Sequence, residues 1–301
     1  MIYLDEAAVR AVLHWDDLVA AMEDALGRFS TGGVQQPVRT VLTVGNDAGF
    51  FGVMPAIAET VMGLKSVCFY PRNAGTEHPT HMAVVLLFDS KTGEPLAAMD
   101  GRLITEMRTA AVSAAVTKRL AKQESRILAL LGSGVQAQAH LEVLSELYEF
   151  GEVRVWSRTP EHAQRFAREH GAKATDAQSA VRDADIVVVA TSSQEPVLRG
   201  SWLKPGAHVN AVGACRPTWR ELDDVAMRNL VVVDSRGAAH AESGDVIQSK
   251  AEIYAEAGEL FAGTKPSRPS ETTVFKSLGL AIEDVASAKL VYDRSKEMAV
   301  R

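Results

Sequence analysis

Cysteine is scarce in this sequence of 301 residues, which contains only Cys68 and Cys215. Neither cysteine has neighbours at the spacing of metal ligands, so we expect no metal site and no disulfide framework. Isolated thiols of this kind are typical of proteins that keep their cysteines reduced, as the cytoplasm does. We therefore expect a cytoplasmic protein.

An excess of basic charge and long apolar runs are also lacking. Lysine and arginine total 32 against 38 aspartate and glutamate residues, a formal net charge of −6, whereas a nucleic-acid-binding protein needs a basic face. No apolar run approaches the roughly 20 residues of a membrane span. Residues Met1–Glu6 lack the pattern of a signal peptide. We expect neither nucleic acid nor a membrane as a partner.

The first part of the chain predicts helices followed by strands. Asp5 can cap a helix over Glu6–Val12, and Trp15–Phe29 repeats apolar residues at helical spacing. No helical pattern separates the strand-like runs that follow, which predicts an antiparallel or mixed sheet. These runs are Val38–Val44, Phe50–Met54, Val61–Tyr70, Met82–Phe88 and Pro95–Met99.

Strand and helix alternate in the rest of the chain, after a long helix expected over Ile104–Leu120. This alternation predicts an α/β fold, a Rossmann-type doubly wound parallel sheet beside a separate α+β domain. We expect residues 1–115 and 278–301 in the α+β domain, residues 116–277 in the Rossmann domain, and a helix over Val274–Asp293. The expected parallel strands are Arg126–Leu131, Val153–Trp156, Asp185–Ala190, His208–Val212 and Leu230–Asp234.

A glycine-rich segment, Gly132-Ser133-Gly134-Val135-Gln136-Ala137, lies between a predicted strand and a predicted helix. In that setting Gly132 permits a tight turn, Gly134 lets a pyrophosphate approach the backbone, and Ala137 permits close helix packing. The free N–H groups at the helix N-terminus then bind the anion. The alternative is a turn with no ligand, and the flanking strand and helix favour a dinucleotide site.

The next strand indicates which dinucleotide binds. An NAD enzyme usually ends this strand with an acidic residue that binds the ribose hydroxyls. Here Ser157-Arg158-Thr159 follows the strand and offers an arginine for a 2′-phosphate instead. Arg158 could also be an ordinary solvated side chain. Because the acid is missing and the arginine is present, we expect an NADPH/NADP+ oxidoreductase, with NADH as a weaker cofactor.

Longer segments carry a resemblance to a known family: Gln36–Thr40, Gly52–Ala56, Met107–Ala111, Gly132–Ala137, Lys204–His208, Arg220–Asp224 and Thr273–Gly279. With these motifs in this order, the sequence resembles the ornithine cyclodeaminase/mu-crystallin family over nearly its whole length. The resemblance implies a homodimer whose first domain, completed by the C-terminal helix, carries the dimer interface and the substrate pocket. It implies hydride transfer between NADPH and the C=N carbon of a cyclic imino acid. It also implies further residues along the cofactor: Thr80, His81, Arg108, Thr191, Ser192, Val212 and Ser277.

Such a reaction requires that the substrate carboxylate be held and the imine protonated. Arg39 and Arg108 are candidates to bind the carboxylate, Arg39 being the better one. Lys65 lies in an apolar strand, so it is either a charge facing solvent or a pocket residue with a lowered pKa. The resemblance favours the pocket, where Lys65 would donate a proton or pair with the carboxylate.

Other candidates depend on the resemblance more heavily. His78 and His81 cannot be separated by sequence alone, and the resemblance favours a catalytic His81. Glu242 matches a position at the substrate pocket, and a carboxylate on a helix surface is a nearly equal alternative. Cys215 stands where cyclodeaminases of the family hold an acid/base aspartate, and a thiol with an ordinary pKa of about 8.5 replaces it poorly. We expect Cys215 to line the pocket and cyclodeamination to be disfavoured.

Three functions remain open at this point. The first is NADPH-dependent reduction of Δ1-piperideine-2-carboxylate or Δ1-pyrroline-2-carboxylate to the cyclic L-amino acid. The second is another reaction on the same scaffold: amino-acid dehydrogenation, reductive amination or ornithine cyclodeamination. The third is an NADPH-dependent protein that binds a small molecule, such as a thyroid hormone, without turnover. Together, Arg39, Lys65 and Arg108 favour catalysis.

Overall fold

The structure is a computed structural model that describes residues 1–46, 48–59 and 61–300. The chain divides into two compact units, Met1–Arg108 with Gly279–Arg301, and Thr109–Leu278. The sequence places the first boundary at 115/116 and the second at 277/278. The first boundary is displaced because it falls inside a helix, where no glycine or proline marks a change of domain. Arg301, which ends the expected first domain, lies outside the described residues.

The helices and strands are numbered along the chain. The first part contains β1 (Ile2–Leu4), α1 (Glu6–Val12), α2 (Trp15–Ser30), β2 (Thr40–Val44), β3 (Gly49–Ala58), β4 (Val61–Phe69), β5 (His81–Asp89), β6 (Pro95–Asp100) and α3 (Gly101–Leu120). The remainder contains β7 (Ile127–Leu131), α4 (Val135–Leu147), β8 (Glu152–Trp156), α5 (Pro160–His170), β9 (Lys173–Ala174), α6 (Ala177–Val181), β10 (Ile186–Val189), β11 (His208–Ala211), β12 (Leu230–Val233), α7 (Arg236–Glu242), α8 (Gly244–Ser249), β13 (Ile253–Glu256), α9 (Ala257–Phe261), β14 (Thr273–Lys276) and α10 (Ala281–Val300).

The first unit is built on a six-stranded sheet in the order β1-β6-β5-β4-β3-β2. Its neighbouring strands are antiparallel except for β1 and β6, which run parallel. The prediction of an antiparallel or mixed sheet is therefore confirmed. Asp5 accepts a hydrogen bond from the amide of Ala8 and caps α1. Along β3, Gly52, Met54 and Ala56 are buried, because alternate residues of the strand share the face that α10 covers.

The opposite face of this sheet is apolar but open to solvent. Strand pairing places Leu42 beside Phe51, Leu64 beside Leu86, and Ile57 beside Met62. Leu42 and Ile57 are exposed and the others are half-buried. Two more exposed residues of β5, Met82 and Val84, lie on the same face. We call the side chains of these eight residues the outer apolar face.

The second unit is built on an eight-stranded sheet in the order β13-β12-β14-β11-β10-β7-β8-β9. All its neighbouring strands are parallel. The strand order reverses at β7, which lies between β10 and β8, as in a Rossmann-type doubly wound sheet. Short strands without a polar face, such as Ile186–Val189, are fully buried because helices cover both faces of such a sheet. The predicted α/β fold is confirmed.

The expectation of one helix over Val274–Asp293 is wrong at its beginning. Residues Thr273–Lys276 form β14, a central strand between β11 and β12, and α10 starts only at Ala281. Gly279 adopts a positive φ of 79° that separates the two elements. The short apolar run of β14 fits a buried strand as well as a helix, so periodicity could not distinguish them. Within the described residues, no helix is both long and apolar enough to cross a membrane.

Candidate active site

The glycine-rich loop of the second unit has the geometry of an anion site. Gly132 follows β7 with a φ of 121°, and a Cβ at this position would collide with the backbone of Ala190. Gly134 is the N-cap of α4, and a Cβ there would meet no atom within 4 Å. Ala137 is fully buried beneath it. Open space therefore adjoins Gly134 at the N-terminus of α4, where the free N–H groups could bind a phosphate anion.

The segment Ser157-Arg158-Thr159 lies at the carboxyl end of β8, next to β7. Arg158 and Thr159 are exposed and Ser157 is half-buried. The acid of this strand, Glu152, stands at its opposite end and pairs with Arg154 at 2.8 Å. Among the described residues that end the strand, Ser157 to Thr159, none offers a carboxylate where an NAD enzyme binds the ribose hydroxyls.

Four other predicted cofactor residues gather along the same sheet edge. Thr191, Val212 and Ser277 follow the neighbouring strands β10, β11 and β14, and Ser192 is adjacent to Thr191. The amide of Ser277 donates to the carbonyl of Ala211 at 3.0 Å. Because ligands of open α/β sheets bind at the carboxyl ends of the strands, this edge is where a cofactor belongs. Thr80, His81 and Arg108, which were also expected along the cofactor, belong to the first unit.

A buried charged cluster supports this edge, formed by Glu221, Asp245 and Lys276, which we call the buried triad. All three residues are fully buried. The ammonium nitrogen of Lys276 lies 3.2 Å from Asp245 Oδ2 and 3.8 Å from Glu221 Oε2. Burial, reinforced by the charge of Asp245 and opposed by Lys276 and Thr191, raises the pKa of Glu221 to about 7. The roles of these three residues were not predicted from the sequence, although Lys276 is a charged residue within an apolar strand.

The first unit contains a second buried cluster, made of cations and carboxylates. Lys65 is 1% exposed, and its Nζ lies 2.8 Å from Asp284 Oδ1 and 2.7 Å from Asp284 Oδ2. Arg108 Nε donates to Asp284 Oδ1 at 3.1 Å, and its Nη1 donates to Glu283 Oε2 at 2.7 Å. One carboxylate of α10 thus bridges a lysine of β4 and an arginine of α3.

Arg39 joins this cluster through the backbone that leads into α10. Its Nη2 donates to the carbonyl of Gly279 at 2.9 Å. A Cβ on Gly279 would strike the guanidinium of Arg108, so glycine lets this backbone lie against both arginines. The structure therefore brings together three predicted site residues, Arg39, Lys65 and Arg108. We call them, with Glu283 and Asp284, the cation cluster.

Burial determines the protonation of Lys65. Removal from water, opposed by the charge of Asp284 and aided by the positive charges of Arg108 and Arg39, lowers the pKa of its ammonium group to about 8. The alternative of a strand charge facing solvent is wrong, because β4 is an interior strand and the side chain points to the covered face. A lysine with this pKa holds an exchangeable proton near neutral pH.

The structure separates the two histidines that the sequence could not. The ring of His81 stacks on Phe69 with centroids 4.4 Å apart, and its Nδ1 lies 3.3 Å from the hydroxyl of Thr80. His81 is exposed as a residue, but the atoms packed around its ring desolvate it, and this desolvation followed by the charge of Lys65 lowers its pKa. His78 is exposed and faces Glu77 at 3.6 Å. Of the two histidines, His81 is thus the one whose pKa is lowered in part by the positive charge of Lys65.

Two predicted substrate residues do not belong to the first unit. Glu242 is the half-buried last residue of α7, and Cys215 is exposed in the loop after β11. The thiol of Cys215 lies 3.8 Å from the carbonyls of Val212 and Gly213. Glu283 and Asp284 were missed in the sequence, where adjacent acids near a helix start resemble an ordinary solvated turn. Among the described residues, no three histidine, cysteine or acidic side chains are grouped to hold a metal ion.

Comparison with known proteins places the chain in a family. The sequence profile of the ornithine cyclodeaminase/mu-crystallin family matches residues 2–299. The ketimine reductase mu-crystallin of Mus musculus is 52% identical over 285 residues, covering 92% of this chain and 91% of that protein.

Two solved structures share the fold over almost the whole chain. The Δ1-pyrroline-2-carboxylate reductase of Thermococcus litoralis, in complex with NADH and L-proline, superposes with a TM-score of 0.93 at 35% identity, covering 99% of this chain and 98% of that one. An archaeal alanine dehydrogenase dimer with bound NAD superposes with a TM-score of 0.91 at 32% identity, covering 99% of this chain and 96% of that one. These reductases and this dehydrogenase confirm the prediction of an oxidoreductase with a nicotinamide dinucleotide. The chain belongs to the ornithine cyclodeaminase/mu-crystallin family.

Proposed function

We propose that this protein reduces cyclic ketimines, Δ1-piperideine-2-carboxylate or Δ1-pyrroline-2-carboxylate, to cyclic L-amino acids with NADPH. The observation that carries the proposal is the cation cluster, in which a buried lysine with a lowered pKa adjoins two arginines. A cyclic 2-carboxy imine needs both an anion site and a proton donor. The relatives named for ketimine and pyrroline-2-carboxylate reduction support the same substrate class.

The cation cluster offers positive charge to a substrate carboxylate. Arg39, Lys65 and Arg108 come together at the start of α10, where Lys65 pairs with Asp284 and Arg108 pairs with Glu283 and Asp284. Arg39 is the least buried of the three and is our candidate for the bidentate partner of the substrate carboxylate. Arg108 is held by Glu283 and Asp284, which makes it a fixed charge.

Lys65 is our candidate for the proton donor to the imine nitrogen. A general acid works best when its pKa lies near the working pH, and burial brings the pKa of Lys65 to about 8. Asp284 fixes the orientation of the ammonium group through both carboxylate oxygens. His81, whose lowered pKa keeps it neutral at pH 7, would contribute a hydrogen bond.

The cofactor would be held by the second unit. The loop Gly132–Ala137 would bind the pyrophosphate, and Ser157–Thr159 would bind the 2′-phosphate. The nicotinamide half of the cofactor would lie beside four further residues: Thr191, Ser192, Val212 and Ser277. When bound, the reduced nicotinamide supplies the hydride that converts the imine carbon to the amino-acid carbon. The exposed Arg158 and the absence of an acid at the end of β8 support NADPH over NADH.

The outer apolar face supports a homodimer. An isolated subunit would leave Leu42, Ile57, Met82 and Val84 exposed on one sheet face. Contiguous apolar surfaces of this kind mark protein–protein contacts. We propose that a second copy of the chain covers this face.

A substrate panel tests the proposed activity. We expect the purified protein to oxidise NADPH with piperideine-2-carboxylate or pyrroline-2-carboxylate, and more slowly with NADH. Turnover of pyruvate with ammonia, and none of the imines, would favour an amino-acid dehydrogenase. Ammonia release from ornithine would favour a cyclodeaminase, against the reasoning from Cys215. Tight ligand binding without any turnover would favour a binding protein.

A further inference from the structure

The buried triad occupies the sheet edge at which the proposed cofactor binds. We propose that it positions the loops that receive the nicotinamide half of the cofactor, with Glu221 as the positioning residue for Thr191. The inference rests on the proposed dinucleotide site. It assigns a role to three charged residues that neither bind the pyrophosphate nor belong to the cation cluster.

Each member of the triad holds a different part of this edge. Glu221 Oε1 accepts from the amide and from the hydroxyl of Thr191, at 2.7 Å in both cases. The ammonium group of Lys276 donates to the carbonyl of Gly213. Thr191, Gly213 and Lys276 lie at the carboxyl ends of β10, β11 and β14. One ionic cluster therefore ties three neighbouring strand ends together.

Asp245 secures the backbone that carries Glu221. Its Oδ1 accepts from the amides of Glu221 and Leu222, at 2.8 and 2.9 Å. The residue before it, Gly244, packs so closely that a Cβ would lie 2.9 Å from the carbonyl of Arg216. The segment that presents Glu221 is thus fixed against the start of α8.

The backbone after β11 packs closely against Thr191 and Glu221. A Cβ on Gly213 would lie 2.6 Å from the carboxyl carbon of Glu221 and would also strike the carbonyl of Thr191. Ala214, the next residue, adopts the left-handed conformation with a φ of 50°, which is unusual for a side chain other than glycine. The loop after β11 therefore packs directly against Glu221 and accepts a hydrogen bond from Lys276.

The order of the strands indicates which half of a dinucleotide meets this edge. The pyrophosphate loop follows β7, and the proposed 2′-phosphate site follows β8, on one side of β7. Thr191, Val212 and Ser277 follow strands on the other side. A dinucleotide bound across the point where strand order reverses therefore places its nicotinamide half beside Thr191.

Stability alone is a poor explanation for such a cluster. Desolvation of each buried ion is unfavourable, and proteins in which apolar residues replace a buried ion pair are often as stable or more so. The triad places one ammonium group and two carboxyl groups, one of them with its pKa raised to about 7, in full burial. A positioning role accounts for polar groups that fix the hydroxyl and amide of one residue in a single geometry.

A matched pair of ligands tests the proposal on the full-length chain. NADP+ and 2′-phospho-ADP-ribose differ only in the nicotinamide. Titration calorimetry would give Kd for both, with Glu221→Ala, Glu221→Gln and Thr191→Val. We expect Glu221→Ala to weaken NADP+ about tenfold, the effect of losing hydrogen bonds to a charged group, with 2′-phospho-ADP-ribose unchanged within about twofold. Glu221→Gln keeps an acceptor for Thr191 and should recover part of the affinity.

Thr191→Val removes the hydroxyl that donates to Glu221 and accepts from the amide of Ser193, but it keeps the Thr191 amide bond and the shape of the side chain. It therefore serves if Glu221→Ala does not fold. It should show a smaller loss that is again confined to NADP+. Equal weakening of both ligands, or no weakening of NADP+, would overturn the positioning role while leaving the cofactor site intact. Failure of the wild-type protein to bind either ligand would overturn the proposed cofactor site and, with it, this inference.

Discussion

Lys65 and Arg158 have the most specific proposed roles among the individual side chains. Lys65 would donate the proton to the imine, and Arg158 would bind the 2′-phosphate of the cofactor. Lys65 is buried against Asp284 and has a lowered pKa. Arg158 is exposed at the end of β8. Burial lowers the pKa of Lys65. The proposed role of Arg158 depends instead on its position and on the lack of an acidic residue beside it. Each claim therefore has its own test.

The pH profile of kcat/KM tests Lys65. A general acid must be protonated, and Lys65 is protonated below a pKa of about 8. We expect kcat/KM for the imine to be level below that pH and to fall about tenfold per unit above it. Lys65→Met should lower kcat/KM by roughly 100- to 10,000-fold. Lys65→Arg should move the alkaline fall to higher pH, and an unmoved fall would show that another group titrates.

Cofactor preference tests Arg158. Removing a charged partner of a phosphate costs about 1.5–3 kcal/mol, so Arg158→Ala should raise the KM for NADPH roughly 10- to 100-fold and leave that for NADH unchanged. Arg165→Ala, at another exposed arginine in α5, changes the net charge equally and should alter neither KM. Steady-state kinetics with both cofactors would settle the point. An equal rise for NADPH and NADH would exclude a 2′-phosphate contact.

At the scale of secondary structure, apolar periodicity predicted most of the helices and strands. It did not predict strand β14 or the residues that pair with Lys65 and Arg108. The alternation after Ser125 was sufficient for the parallel sheet, and Asp5 marked the start of α1. The strand β14 was missed because a four-residue apolar run does not distinguish strand from helix. The partners of Lys65 and Arg108 were missed because Asp284 lies 219 and 176 residues away along the chain. The cationic residues themselves were identified through family resemblance, not through spacing.

The sheet of the first unit supports a prediction about assembly. Val84 on the outer apolar face is 45% exposed, and Val225 in the second unit is 46% exposed. If a second copy covers the face, Val84→Glu places a charge in the interface and should convert the dimer to a monomer in sedimentation equilibrium. Val225→Glu should remain dimeric. A wild-type monomer, or a Val84→Glu dimer of unchanged affinity, would contradict the proposed interface.

At the scale of the whole molecule, the pH dependence of the free energy of unfolding should reflect two histidines that are buried in the second unit. Burial lowers the pKa of both His140 and His208 to about 4. His140 contacts Ser113 and the carbonyl of Gln136, and His208 contacts Thr273 and Asn210. Both rings are therefore neutral in the folded protein, whereas the unfolded chain protonates them below pH ~6.5.

The sign of the effect follows from this difference in proton binding. Between pH 6.5 and 4 the unfolded state binds more protons, so the free energy of unfolding should fall as the pH falls. Each histidine contributes up to about 1.4 kcal/mol per pH unit. Urea unfolding at several pH values should show a shallower fall for His208→Gln than for the wild type. His162→Gln, at an exposed histidine, should leave the slope unchanged, and equal slopes in all three proteins would refute the account.

Product formation tests the central claim most directly. Wild-type protein would be incubated with NADPH and Δ1-piperideine-2-carboxylate or Δ1-pyrroline-2-carboxylate, and NADPH loss and chiral amino-acid product would be measured together. Reduction at the imine carbon predicts one cyclic L-amino acid, L-pipecolate or L-proline, for each NADPH consumed. Absence of NADPH oxidation with both imines, or oxidation without that product, would contradict the proposed function.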